Sequence, residues 1–376
     1  MNLRNNQEDY INLNPLQVGG RTSAYVRLVA NSYIDGYAVC DQCGGTLHDI
    51  PKPNIAELTN RMAEFLGVDF VRFTHGVREA KYLLMKTLLK KGDVIVVDSN
   101  AHYSTYLAAE RVGIKVYSVP NSGYPEFKIE PRDYRKSIVG AEKETGKKPK
   151  LLVLTQVDGN YGNLVNAKKV AQVTKELKIP LLINSAYLAG RVRVSLKDSG
   201  ADFISVSAHK SFGVPGTIGA LGVRKKWVKR LFYQSENFAG KEVELLGCTA
   251  RNAAIIGLVG AMESIEERVK LWPKELEKVN WLVKKLEGLG GIKQLGEKPK
   301  KHDLIYLETP ILDKIAQGKR KRGYFLAEEL KKKGIIGIRP GLTRKIKFSV
   351  YGLTWEQVKY VYQTFKQIVK ERENGI

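Results

Sequence analysis

The chain has 376 residues, a formal net charge of +23 and 43% hydrophobic residues. This suits two domains with full apolar cores, and no run of about 18 apolar residues offers a transmembrane helix. The basic excess favours polyanions, nucleic acid above all, against the alternative of a lysine-rich, heat-adapted composition.

The first residues, MNLRNNQEDYINLNP, are polar and lack an apolar signal core, which predicts a cytoplasmic protein. Residues 1–55 read as an irregular N-terminal segment carrying Cys40-x-x-Cys43. The third cysteine is Cys248, and an odd count argues against a disulfide framework. The C-x-x-C spacing lets two thiolates meet one metal, one cluster or each other. Zinc would need further ligands such as His48 and Cys248. A redox or sulfur-carrying role, an iron–sulfur cluster on all three cysteines and two incidental buried thiols are the other readings.

Residues 56–261 read as a large domain of alternating strands and helices. Ile55, Leu58, Met62 and Phe65 repeat at helical spacing. A strand, Phe70 to Thr74, runs into His75-Gly76-Val77-Arg78-Glu79-Ala80 and a helix through Leu88. A strand, a glycine turn and a helix start form an anion cradle, because free backbone N–H groups point at the ligand. Strands are predicted at Val94–Asp98, Lys115–Val119, Leu151–Gln156, Pro180–Ile183 and Thr217–Val223, with His102 and Tyr103 on the loop after the first. Polar residues gather at the strand ends, in Asp158-Gly159-Asn160 and Asn184-Ser185-Ala186-Tyr187. Short apolar strands between helices predict a mostly parallel α/β sheet covered on both faces, with its ligand at the carboxyl ends.

The segment FISVSAHKSFG, Phe203 to Gly213, is a strand that breaks into small and polar residues. Lys210 at its exit, beside His209, is placed for covalent chemistry: a partly desolvated amine near another cation loses its proton more easily and attacks an aldehyde. Ser207 and His209 can hydrogen-bond an anion beside it. Residues 262–376 read as a smaller α+β domain. Its elements are one long helix or two over Met262–Leu289, interrupted near Pro273, then a strand Asp303–Glu308, a helix Tyr324–Lys333, a strand Ile346–Val350 and a helix Trp355–Arg372.

Together these residues resemble the fold-type I pyridoxal phosphate enzymes, close to the cysteine desulfurases and specifically the O-phosphoseryl-tRNA:cysteinyl-tRNA synthases. The carriers are Cys40 and Cys43, the His75–Ala80 loop, Asn184–Tyr187, Ser207–Ser211 and Leu246-Gly247-Cys248-Thr249. The resemblance implies β-replacement of phosphate by sulfur on phosphoseryl-tRNA(Cys). It implies a pyridoxal 5'-phosphate Schiff base on Lys210, which later moves the α-proton. Gly76, Val77, Arg78, Ser207 and His209 would hold the cofactor phosphate, and Ala208 and Asn184 would also bind the cofactor. His102 would stack on the ring, Asn160 would meet the phenolic oxygen, and Thr249 would reach the cofactor of the other subunit of a homodimer. Arg78, His102, Tyr103 and Lys241, with Arg251 behind them, are the candidates for the leaving phosphate. Cys40, Cys43 and Cys248 would deliver sulfur as persulfides or hold an iron–sulfur cluster.

Two departures from the desulfurases favour the tRNA ester. Asn184 stands where they carry an aspartate, and an amide cannot keep the pyridine nitrogen charged. Lys347 stands where they carry a carboxylate-clamping arginine, and an esterified substrate has no free carboxylate. Arg339 and Arg344 lie nearby in sequence. The implied partners are the tRNA, a phosphoseryl-tRNA synthetase and a sulfur donor. The alternatives are a free-amino-acid enzyme such as a desulfurase or lyase, and a non-catalytic RNA-binding scaffold on the same fold.

Overall fold

The structure, a computed structural model, describes residues 10–14, 22–32, 55–246, 253–319 and 321–370. Its strands in chain order are β1 (Ile11–Asn12), β2 (Phe70–Thr74), β3 (Val94–Asp98), β4 (Lys115–Val119), β5 (Leu151–Thr155), β6 (Leu181–Asn184), β7 (Phe203–Ser207), β8 (Gly219–Val223), β9 (Lys293–Leu295), β10 (Leu304–Glu308), β11 (Ile335–Ile336) and β12 (Lys345–Ser349).

Seven of these form one sheet in the order β2-β8-β7-β6-β5-β3-β4. Only β8 runs against the others, pairing antiparallel with both β2 and β7. The reason for the sheet is written in the strands. VIVVD, LLVLT, LLIN and FISVS are buried along their whole length, as strands covered on both faces must be. The edge strand β4, KVYSV, is only partly buried and begins with an exposed lysine, which blunts a free edge.

Helices cover both faces. Val77–Leu88 and Tyr103–Val112 pack Ala80, Leu83, Leu84, Ala108 and Ala109 against one face. Ile55–Leu66, Pro131–Thr145, Ala167–Glu176 and Ala253–Glu263 pack Leu58, Met62, Ile138, Val170 and Ile255 against the other. Fully burying one such aliphatic side chain stabilises the fold by roughly 1.5–3 kcal/mol. This is the α/β arrangement read from the sequence.

A separate core follows. Helices Trp272–Glu287 and Trp355–Lys370 lay Val279, Leu282, Val361 and Phe365 on an antiparallel sheet of order β12-β10-β9. Phe348 and Phe365 stack with centroids 6.1 Å apart. Leu13 joins this core through the parallel pair β1–β11. The stretch read as one helix or two from Met262 is the tail of Ala253–Glu263, then Ile265–Lys270 and Trp272–Glu287. Pro273 sits in the first turn of the last helix, where its missing N–H costs nothing.

The consequence for function is positional. The carboxyl ends of β2, β5, β6 and β7 place Thr74, Thr155, Asn184 and Ser207 along one edge of the sheet. Among the described residues, no helix is long and apolar enough to cross a membrane.

Candidate active site

The site is a cavity of about 240 Å³ at that edge. After β7 the chain makes one wide turn over Ala208–Phe212, closed by the Gly213 N–H donating to the Ala208 carbonyl. Such i→i+5 turns occur often at functional sites. The turn is anchored on both sides of Lys210. Phe212 is buried edge-on against Phe65 at 5.7 Å, and the buried Ser211 hydroxyl donates to the Tyr187 carbonyl at 3.0 Å. The Lys210 amine is left facing the cavity wall, 4.2 Å from the centroid of the Tyr187 ring. Burial first, and then the Arg191 guanidinium, bring that amine from 10.5 down to about 8. A useful fraction is therefore unprotonated near neutral pH.

Opposite stands the start of helix Val77–Leu88. Its N-cap is Gly76, which has no side chain to cap the first turn, so the leading N–H groups open on the cavity. Arg78 lines the cavity beside them. Ser207 and His209 complete this corner. The Ser207 hydroxyl lies 3.1 Å from His209 Nδ1, and that nitrogen is 3.1 Å from the Ile218 carbonyl. Since a carbonyl only accepts, Nδ1 carries the proton and Nε2 has the lone pair. Thr217 closes the corner.

His102 caps helix Tyr103–Val112 and lines the cavity with Tyr103, their rings 4.2 Å apart. Its Nδ1 receives the Ser104 backbone N–H at 3.3 Å, so the ring proton sits on Nε2. Burial, followed by the charges of Lys210, Lys81 and Arg78, pulls this ring from 6.5 to about 4. His102 is thus neutral near pH 7. It can offer a hydrogen bond to a leaving phosphate but not a positive charge.

Gly76, Val77, Arg78, His102, Tyr103, Asn184, Ser207, His209 and Lys210 line this one cavity, and Ala208 is buried at the base of the wide turn. Asn160 does not line it: the side chain is exposed, its backbone N–H donates to Asp158 at 2.8 Å, and Gly159 forms the wall instead. Lys241 lies on an exposed loop away from the wall. Cys40, Cys43, Cys248 and Thr249, with His48 and Arg251, lie outside the described residues. The persulfide, iron–sulfur, zinc and cross-subunit expectations fall there with them. Among the described residues no cluster of three metal-ligating side chains occurs.

The structure adds residues to which the sequence reading gave no role in the site. Lys81 is fully buried, and its amine donates to the Ser104 and Thr105 hydroxyls, each at 2.8 Å. Burial and the nearby Lys210 charge lower it to about 7. It occupies an apolar position of its helix, between Ala80 and Leu84, and a lysine in a buried stripe was the available signal. Thr155 has a buried hydroxyl without a protein partner among the described residues, and it also lines the cavity. Tyr187 forms a wall, with its hydroxyl pushed up to about 12 by burial.

The residues present fit pyridoxal phosphate. An uncapped helix start with Ser207, His209 and Thr217 suits the phosphate, the orphaned Thr155 hydroxyl and Asn184 offer polar contacts for a ring, and Lys210 suits an aldehyde. Fold and site define a fold-type I pyridoxal phosphate-dependent enzyme.

Comparison with known proteins narrows this class. The family model of O-phosphoseryl-tRNA(Sec) selenium transferase (SepSecS) matches residues 45–370. The O-phospho-L-seryl-tRNA:Cys-tRNA synthase of Methanothermobacter thermautotrophicus is 46% identical over 365 residues, 97% of this chain and 96% of the relative. That of Methanocaldococcus jannaschii is 46% identical over 96% of each chain. A solved SepCysS–SepCysE N-terminal domain complex superposes with a TM-score of 0.91 at 45% identity, covering 98% of this chain and 96% of that one. A cysteine desulfurase from Thermococcus onnurineus superposes at 0.79 with 20% identity, over 97% and 96%, which shows a shared fold. The chain belongs to the O-phosphoseryl-tRNA(Sec) selenium transferase family and, within it, to the O-phospho-L-seryl-tRNA:Cys-tRNA synthases.

Proposed function

We propose that this chain converts O-phosphoseryl-tRNA(Cys) to cysteinyl-tRNA(Cys), replacing the β-phosphate with sulfur. The observation that carries the reading is the meeting of the Lys210 amine, Arg78, His102 and the neutral Asn184 in one cavity. The names of the relatives support the substrate.

Bound pyridoxal phosphate supplies an electron sink for the substrate's α-carbon. The chain's own residues do the rest. Lys210 Nζ, with its lowered proton affinity, takes the α-proton and can return one. Arg78 and the His102 Nε2–H bind the departing phosphate at the solvent-exposed side of the cavity, Arg78 through a charge-assisted hydrogen bond. Asn184 is buried, and its Oδ1 accepts the Ala186 N–H at 3.3 Å, so the amide presents its NH₂ to the cavity. It hydrogen-bonds a ring without adding negative charge. The sink is then weaker, which suffices for a good leaving group such as phosphate and disfavours attack on unactivated cysteine.

Sulfur delivery by Cys40, Cys43 and Cys248, through persulfides or an iron–sulfur cluster, belongs to the same reading. So do a cytoplasmic homodimer and contact with a phosphoseryl-tRNA synthetase, which would keep the intermediate from the ribosome. The +23 charge supports tRNA binding.

The test is the absorbance of the purified protein, challenged with phosphoseryl-tRNA and then free phosphoserine. A yellow band abolished by borohydride and absent from Lys210→Ala is expected, perturbed by the tRNA ester and not by the free amino acid. If free cysteine or phosphoserine serves as well as the ester, the desulfurase reading replaces this one.

A further inference from the structure

Beside the catalytic cavity lies a second, larger one of about 530 Å³. The two share Gly159 and Tyr187 as common walls. The junction is tight: a Cβ added to Gly159 would stand 3.2 Å from the Tyr187 ring. Lys210 Nζ is 4.2 Å from the centroid of the same ring, so the second cavity begins directly beside the reacting lysine. Its far wall comes from β12 and the loop before it. Ile338 and Ile346 are buried apolar surfaces there, Leu342 is an exposed apolar lip, and Arg339 is an exposed cation at the rim.

Lys347 lies at the junction. Its ammonium donates to the Gly159 carbonyl at 2.8 Å and so is already engaged by backbone. A lysine fixed in this way is a poor bidentate clamp for a free carboxylate. A group on the substrate's carboxyl that passes between Gly159 and Tyr187 enters the second cavity beside this lysine.

We propose that the second cavity is the subsite for the 3'-terminal nucleoside of the tRNA ester. Its apolar walls take the base, and Arg339 at the rim meets the phosphodiester that joins this nucleoside to the preceding one. The proposal rests on the tRNA-ester reading above. An acyl group on a ribose hydroxyl sits within one sugar of its base, so a base-sized apolar cavity adjoining the reacting lysine is where that base falls. Single-stranded nucleic acid is generally held by cations along its backbone and by ring faces against its bases, and Arg339 with the Tyr187 ring offers one of each here.

The experiment compares two substrates in the holoenzyme: phosphoseryl-tRNA and the methyl ester of O-phosphoserine, which fills the first cavity only. For Leu342→Ala and Arg339→Ala the ratio of kcat/KM, tRNA ester over methyl ester, should fall about tenfold, mostly through KM. Arg339→Ala should also flatten the dependence of tRNA KM on salt by about one phosphate contact. The trinucleotide CCA should bind the wild-type protein in fluorescence anisotropy and bind Leu342→Ala about tenfold more weakly. An unchanged ratio, or CCA binding indifferent to both substitutions, overturns the subsite. Failure of the tRNA reading looks different: the wild-type protein itself would then leave phosphoseryl-tRNA unconverted.

Discussion

The Lys81 ammonium, sealed from solvent, donates to the Ser104 hydroxyl at 2.8 Å. That hydroxyl lies 2.8 Å from His102 Nδ1, so a buried charge reaches the cavity histidine through one oxygen. Lys81 is also one of the three cations that hold the ring near 4, after burial. In Lys81→Met the His102 titration should move up toward 6.5, read by NMR of the imidazole. The sign for stability follows from linkage. The unfolded chain takes up this proton near 6.5 and the folded chain only near 4, so stability falls as pH drops through that window. The slope should be shallower in the variant. An unmoved titration would leave burial and the charges of Lys210 and Arg78 as the causes.

Much of this centre was legible because its signals are local. FISVS is a buried strand by composition, and small polar residues followed by His209-Lys210 announce its exit. Gly76 before a helical repeat announces the anion cradle. Other features depend on contacts far apart in the chain. Tyr187 becomes a wall only where β6 ends beside the Lys210 turn. Asn160 and Gly159 are adjacent in a turn, and sequence carries no rule for which of them faces inward. β1, β9 and β11 are two or three residues long and are strands only because a partner lies alongside. The proton on His102 Nε2 follows from one backbone N–H, which no residue type reveals.

Arg191 and Asp303 are the clearest case of a long-range contact, 112 residues apart and both buried. The guanidinium meets the carboxylate at two points, Nη2 to Oδ2 at 3.1 Å and Nε to Oδ1. Arg191 Nη1 also reaches the Ser211 hydroxyl at 2.7 Å, one residue after Lys210. The pair therefore ties the catalytic turn to the start of β10. Burial alone would raise the Asp303 carboxyl. The charges of Arg191 and His302, with hydrogen bonds from Arg191 and Ser349, outweigh it and hold the group at about 2. Asp303→Ala leaves a buried guanidinium without its counter-charge and should cost about 3–5 kcal/mol in urea unfolding at pH 7. In the wild type this contribution is complete above 3.8 and fades as pH falls toward about 2. The variant should lack that acid limb. A loss under about 1 kcal/mol at pH 7 would mean that water solvates the pair.

Gly76 holds a conformation that other residues resist, with φ at +87° and ψ at 172°. It ends β2's exit loop and caps helix Val77–Leu88 without a side chain, while the Thr74 hydroxyl donates to its carbonyl at 3.0 Å. A Cβ there would come within 3.2 Å of Thr217 Cγ2 and 3.8 Å of His209 Cε1, both in the corner that suits the cofactor phosphate. Two effects should add in Gly76→Ala. Backbone strain at positive φ costs about 1–2 kcal/mol, and the methyl group displaces Thr217. The variant should unfold at lower urea and retain pyridoxal phosphate about tenfold less well in equilibrium dialysis. Thr217→Ser in the same background removes the clashing methyl and keeps the hydroxyl. It should recover part of the cofactor retention and none of the strain, so stability stays about 1 kcal/mol or more below wild type. If Gly76→Ala retains the cofactor as the wild type does, the phosphate does not sit at this helix start.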